Sequence, residues 1–267
     1  MTAQLCVNEL GVVLGDSARL AQVSFNVQCG EIASVVGANG AGKTTLLRAI
    51  AGDFAQGKNL AGSVSFNGHA IDALSPRKRA LCMAVLAQQN TLNFPFLVRE
   101  VIALGRTPHD SGVDADRHIV QHCAARFDLL ALLDRIYTEL SGGERQRVQL
   151  ARVFAQIEGA STQDVAGAAP KLLLLDEPMS ALDYRHQREV AAAIVELAAQ
   201  HVAVLQVMHD INLAASYSSR MLALVDGRLC CDCDVPTFMQ PGMLKTVFDI
   251  DAQILRHAET GRVLIVS

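Results

Sequence analysis

Short apolar runs separated by turn residues alternate along this chain with longer stretches of helical period. Up to about residue 50 the runs are strand-like: Cys6 to Leu14, Val23 to Val27 and Ile32 to Val36. A glycine-rich stretch follows, then a helix-like run from Thr45 to Ala51. Ser63 to Phe66 reads as a strand closed by Asn67-Gly68, a strong hairpin signal. Pro76 to Ala80 starts a short helix, and Cys82 to Leu86 is again strand-like. From Asn90 to about Ile157 the period becomes helical, with helices predicted over Val98 to Leu104, Arg117 to Phe127 and Leu129 to Leu133. Glu158 to Pro170, rich in small residues, predicts a flexible surface loop. Leu172 to Leu175 is uniformly apolar and ends in acid, the pattern of a buried parallel strand. A helix (Arg185 to Gln200), a strand (Val202 to Val207), a helix (Ile211 to Ser219) and two strands around Asp226-Gly227 (Met221 to Val225, Arg228 to Cys231) complete the pattern.

Composition narrows the class. Hydrophobic residues make up 51% and aromatic ones only 4%, with no Trp. Such a core is built of Ala, Val, Leu and Ile, as in helices packed on a mostly parallel sheet. A formal net charge of -4 argues against a large nucleic-acid surface. No apolar run approaches the ~20 residues that span a bilayer; Val190 to Met208 is interrupted by Glu196, Gln200 and His201. Met1 to Leu10 has no basic segment leading into an apolar run, so the expected compartment is the cytoplasm. Seven scattered cysteines then read as free thiols. Cys230, Cys231 and Cys233 belong on a strand rather than in a zinc site, and His118 and His122 on a solvated helix face.

Three motifs carry chemistry. Gly37-Ala38-Asn39-Gly40-Ala41-Gly42-Lys43-Thr44 fits G-x-x-x-x-G-K-[ST] between a strand and a helix. Glycines let the backbone wrap polyphosphate, so that N–H groups and the helix N-terminus point at its oxygens. Lys43 would reach the β- and γ-phosphates, and the Thr44 hydroxyl would hold Mg²⁺. Asp176-Glu177 ends the apolar run Leu172 to Leu175, where one carboxylate can serve a metal ion and the next can polarise water. The alternative is an ordinary capped strand end. Leu140-Ser141-Gly142-Gly143-Glu144 opens a helix, a second anion-seeking N-terminus in one chain. Ser141 with Glu144 also fits a plain capping box, which leaves the paired glycines without a purpose.

In these residues the chain resembles the ATP-binding cassette family. Gly37 to Thr44 matches its Walker A loop, Gln88 its Q-loop, and Leu140 to Glu144 its signature, with Glu144 where Gln is usual. Leu172 to Asp176 matches Walker B, Glu177 the catalytic glutamate, Ser180 to Asp183 the D-loop and His209 the switch histidine. The aromatic that stacks on adenine in many members is missing from Val12-Val13-Leu14-Gly15.

The resemblance implies an α/β fold: a P-loop (RecA-like) core with a mixed sheet, an antiparallel β subdomain and an inserted helical subdomain. The core would take residues 1–89 and 158–267, and the insert 90–157. It also implies ATP and Mg²⁺ as cofactors. Gly37, Ala38, Asn39, Gly40, Ala41, Gly42, Lys43, Thr44 and Thr45 would bind phosphates. Thr44, Gln88 and Asp176 would organise Mg²⁺, while Glu177 and His209 act on the attacking water and γ-phosphate. Ser141, Gly142, Gly143 and Glu144 would complete the site of a partner copy in a head-to-tail homodimer.

Implied partners are two transmembrane permease subunits and, through them, a periplasmic binding protein, at the cytoplasmic face of the inner membrane. Phe94-Pro95-Phe96, Gly105-Arg106-Thr107-Pro108-His109 and Arg185-His186-Gln187 are similar to the branch importing iron-siderophores, vitamin B12 and heme, the heme importers above all. The same cargo-blind role for siderophore or B12 stays open. So does a soluble cassette acting on nucleic acid or ribosomes.

Overall fold

The computed structural model describes residues 5–55, 57–88, 92–158, 171–256 and 263–266. Most of the loop expected over residues 158–170 lies outside them. In chain order the elements are β1 (Leu5–Leu14), β2 (Ser17–Val27), β3 (Ile32–Val36), α1 (Lys43–Ala51), β4 (Leu60–Phe66), β5 (His69–Ala70), α2 (Pro76–Cys82) and β6 (Met83–Leu86). Then come α3 (Val98–Ala103), α4 (Val113–Arg126), α5 (Gly142–Ile157), β7 (Lys171–Asp176), α6 (Tyr184–Ala199), β8 (Val202–Val207) and α7 (Ile211–Tyr217). The chain continues through β9 (Arg220–Val225), β10 (Arg228–Asp234), α8 (Val235–Phe238), α9 (Pro241–Phe248), β11 (Gln253–Arg256) and β12 (Val263–Val266).

The central sheet runs β10-β9-β3-β8-β7-β6, parallel except for the antiparallel edge strand β10. A second sheet, β2-β1-β4-β5, is antiparallel throughout. The central strands are apolar on both sides because both are covered. Ala33, Val35, Leu172, Leu174 and Leu205 face α1 and the antiparallel sheet in one core. Ile32, Val36, Leu173, Leu175 and Val204 face α3 to α6 in the other. The period-2 alternation thus sorts one strand's side chains into two different cores.

The departures from the expected elements have local causes. β2 begins at Ser17 rather than Val23, because its first three positions are exposed and carry no apolar signal. α4 starts at Val113, with Asp114 and Asp116 in its first turn, where acids complement the helix dipole. Leu129 to Leu133 yields only a 3-10 turn, Leu130–Leu132. Everything after β10 lacked a sequence signal; the β11–β12 hairpin is pinned by Asn212 on α7, whose amide bonds both Ile265 N and Ile265 O.

The Gly105-Arg106 pair fastens the helical layer. A Cβ on Gly105 would come within 2.2 Å of the Arg152 carbonyl oxygen, so only glycine lets this turn lie on α5. Arg106 is 3% exposed and donates to the Ala155 and Glu158 carbonyls at 2.6 and 2.7 Å, closing the end of α5. It also pairs with Asp116 at 2.8 Å. A stretch that reads as a branch marker is, physically, a helix C-cap.

Candidate active site

The strand-to-helix turn from β3 to α1 forms an open loop with positive φ at Gly37, Gly40 and Gly42. Ala38, Asn39 and Gly40 are exposed at its crown. Gly42 is the N-cap of α1, so Lys43, Thr44 and Thr45 form its first turn, with backbone N–H groups free of intrahelical partners by position. Lys43 folds back over the loop and donates to the Gly37 and Ala38 carbonyls at 2.8 and 2.9 Å. Burial pushes its ammonium pKa down, opposed by the nearby Glu177 and Asp176 carboxylates.

Asp176 ends β7 beside α1 and is 3% exposed. Burial pushes its carboxyl up, and a hydrogen bond from Thr44 opposes the shift. Its Oδ1 has no hydrogen-bond partner. A buried carboxylate oxygen without a donor, beside a threonine hydroxyl, suits a hard divalent cation that prefers oxygen ligands. A raised carboxyl stabilises the free fold below the unfolded value and loses that contribution as pH rises through the folded one. Above its folded value the ionised Asp176 is therefore a cost to the empty protein. Asp176→Asn is expected to raise the thermal midpoint by a few degrees in the absence of nucleotide while abolishing turnover. An unchanged or lower midpoint would show that the orphaned oxygen is not a source of strain.

Glu177 follows with φ 52, in the left-handed region. Its Oε1 accepts from Gln88 Nε2 at 2.7 Å and lies 2.7 Å from His209 Nε2. Gln88 therefore meets Glu177, and no hydrogen bond joins it to Thr44 or Asp176 among the described residues. Glu177, Met179, Ser180, His209 and Asp210 line one open cleft of about 140 Å³. The D-loop carries a second left-handed residue, Ala181 at φ 60, and its Asp183 caps α6 by accepting from His186 N at 2.9 Å.

Ser141 caps α5 and lies exposed with Gly142. The capping box forms: Glu144 N donates to Ser141 Oγ at 3.3 Å, while Ser141 N and Oγ each donate to Glu144 Oε2 at 2.8 Å. Those two bonds hold the Glu144 carboxyl below its ordinary range. No hydrogen bond or ion pair joins this turn to Gly37–Thr44 of the same chain among the described residues, so the second anion-seeking helix end faces outward. Gln146, which the sequence motifs left without a role, reaches the backbone of Glu177 and Pro178 with its amide. Tyr217 was missed too. It bonds Gln206 at 3.1 Å and touches the sulfurs of Met179 and Met208 beneath the catalytic loops. A lone Tyr in an apolar helix carries no signal of such a network.

A glycine-rich loop leading from β3 into α1, an acid pair closing β7 two places away in the same sheet and an outward-facing Ser-Gly-Gly helix are the features of an ATP-binding cassette. The profile described as ABC transporter matches residues 20–180. The chain belongs to the ABC transporter family, as an ATPase coupled to transport. It is 41% identical over 252 residues to the hemin import ATP-binding protein HmuV of Plesiomonas shigelloides, covering 92% of this chain and 95% of that one. To the protein of the same name from Pseudomonas aeruginosa it is 39% identical over 263 residues, 98% of this chain and 99% of the other. In fold it matches an ATP-binding subunit of an ABC transporter (TM-score 0.77, 22% identity, 92% of this chain and 96% of that chain). It also matches an ATP-binding cassette in a dimeric post-hydrolysis state bound to ADP and Pi (TM-score 0.74, 23% identity, 86% and 98%). Among the described residues no helix is long and apolar enough to cross a membrane.

Proposed function

We propose that this chain is the ATP-hydrolysing subunit of a heme importer. The observation that carries the reading is similarity along nearly the full length of both chains to proteins named for hemin import. The core is assigned to residues 1–89 and 158–267, and the helical subdomain to 90–157. Gly37 to Thr45 wrap the phosphates with backbone N–H groups, and Lys43 leaves the Gly37 and Ala38 carbonyls to neutralise them. Thr44 and Asp176, with Gln88 beside them, would hold Mg²⁺, which would supply neutralisation of phosphate charge. Glu177 takes the proton of the attacking water, and His209, 2.7 Å away, keeps its carboxylate in line. Ser141, Gly142, Gly143 and Glu144 complete the partner's site in a homodimer, the arrangement that gives two anion-seeking helix ends in one chain a purpose.

Two permease subunits, served by a periplasmic binding protein, dock on the helical layer, and the dimer works at the cytoplasmic face of the inner membrane. Phe94 and Phe96 support this: they are 70% and 36% exposed, stack edge to face at 6.2 Å, and leave an apolar wall in water. Leu97→Cys beside them is expected to crosslink to the permease in the assembled complex. Absence of any adduct would remove that surface from the docking site.

The deciding experiment is ATP-driven uptake into vesicles carrying the permease, with heme, a ferric siderophore and cobalamin compared. Uptake of heme above the other two is expected. Uptake of a siderophore or cobalamin instead would reassign the cargo, and ATP hydrolysis without any permease dependence would remove the transport role.

A further inference from the structure

The signature helix α5 presents Ser141 outward and, five residues along, turns Gln146 inward. Gln146 Nε2 donates to the carbonyl of Glu177 at 3.2 Å and to that of Pro178 at 3.1 Å. Around the same residue, Ser180 N and Oγ donate to the Glu177 carbonyl at 3.2 and 3.0 Å, and Glu177 N donates to Val207 O at 3.1 Å. These bonds converge on a residue whose φ of 52 disfavours any side chain with a Cβ, so the surroundings hold the conformation rather than the residue itself. A second contact lies one turn earlier in α5. A Cβ on Gly143 would stand 2.9 Å from the Ala181 carbonyl, so the helix start rests directly on the loop that follows Glu177.

We propose that Gln146 is a positioning residue that holds the Glu177 backbone in its left-handed turn and ties it to the signature helix of the same chain. Its two bonds keep Oε1 aimed at His209. Because Ser141 and Gln146 ride on one helix, a pull on Ser141 from the partner's nucleotide is passed to the glutamate of the neighbouring site. The inference rests on the role proposed for Glu177 and deepens it.

The test uses the full-length chain and three variants. Gln146→Leu keeps the bulk and removes the donor; Gln146→Glu sets a carboxylate against two carbonyls; Gln146→Lys restores a donor. Misplacing a reacting group by about 1 Å costs on the order of 100-fold, so turnover is expected to fall about that much for Glu and less for Leu, with recovery in Lys. KM and the affinity for a fluorescent ATP analogue stay at wild-type values. Amide hydrogen exchange speeds up over residues 177–182 and not along α5. Wild-type turnover in both the Leu and Glu variants overturns the proposal, as does a loss of turnover accompanied by lost affinity and a lowered thermal midpoint without local exchange. Glu177→Gln, run in parallel, separates the two claims. If it hydrolyses at full rate, the role of Glu177 falls and the brace with it. If it is inactive while Gln146→Leu and Gln146→Glu both run at full rate, only the brace falls.

Discussion

Glu177→Gln is expected to bind ATP as tightly as the parent chain and to turn it over about 10²- to 10⁴-fold more slowly, the range lost when a general base is removed. The amide has the same shape and keeps its place opposite His209 Nε2 and Gln88 Nε2, both 2.7 Å from Oε1 in the parent. What it lacks is a basic oxygen. Lys43, Thr44 and the α1 N-terminus are untouched, so phosphate binding survives. In the proposed dimer, closure that hydrolysis would reverse should then persist, and the variant is expected to run as a dimer in ATP and as a monomer without it. Single-turnover kinetics and size-exclusion chromatography in ATP check both halves. Parental turnover would strip Glu177 of its role.

Arg106→Ala is expected to destabilise the chain by about 3 kcal/mol, the low end of the range for a buried pair losing one partner, since Asp116 is 28% exposed. The guanidinium is 3% exposed, satisfies two carbonyls at the end of α5 and pairs with Asp116, whose carboxyl it helps hold below the ordinary range. Its removal leaves those carbonyls buried without donors. Because α5 begins at Ser141 and carries Gln146, the damage extends from stability to the site. Denaturant midpoint, read with the slope unchanged, measures the first. Equal midpoints would show that the Gly105-Arg106 turn merely decorates the helical layer.

Much of the site was legible because phosphate chemistry is strict about spacing. Gly37 to Thr44 needs its glycines and its lysine in order, whatever surrounds them, and the apolar run before Asp176 announces a buried parallel strand by composition alone. The paired glycines after Ser141 had no purpose in a plain capping box, and only the fold sets Gly143 against the Ala181 carbonyl. β2 was read short because its solvent-facing start carries no apolar period, and the last hairpin went unread because Asn212, distant in sequence, supplies part of its pairing.

Local order in the chain thus determined the family, the phosphate loop, the acid pair and the outward signature, since each depends on neighbours within a few residues. Only the tertiary structure decided that Gln88 meets Glu177, that Asp176 keeps an orphaned oxygen, that Arg106 closes α5, and that Gln146 grips the catalytic turn. The contacts among these join residues 31 to 89 positions apart. Such pairings follow from how two cores stack on one sheet, and no periodicity along a single segment encodes them.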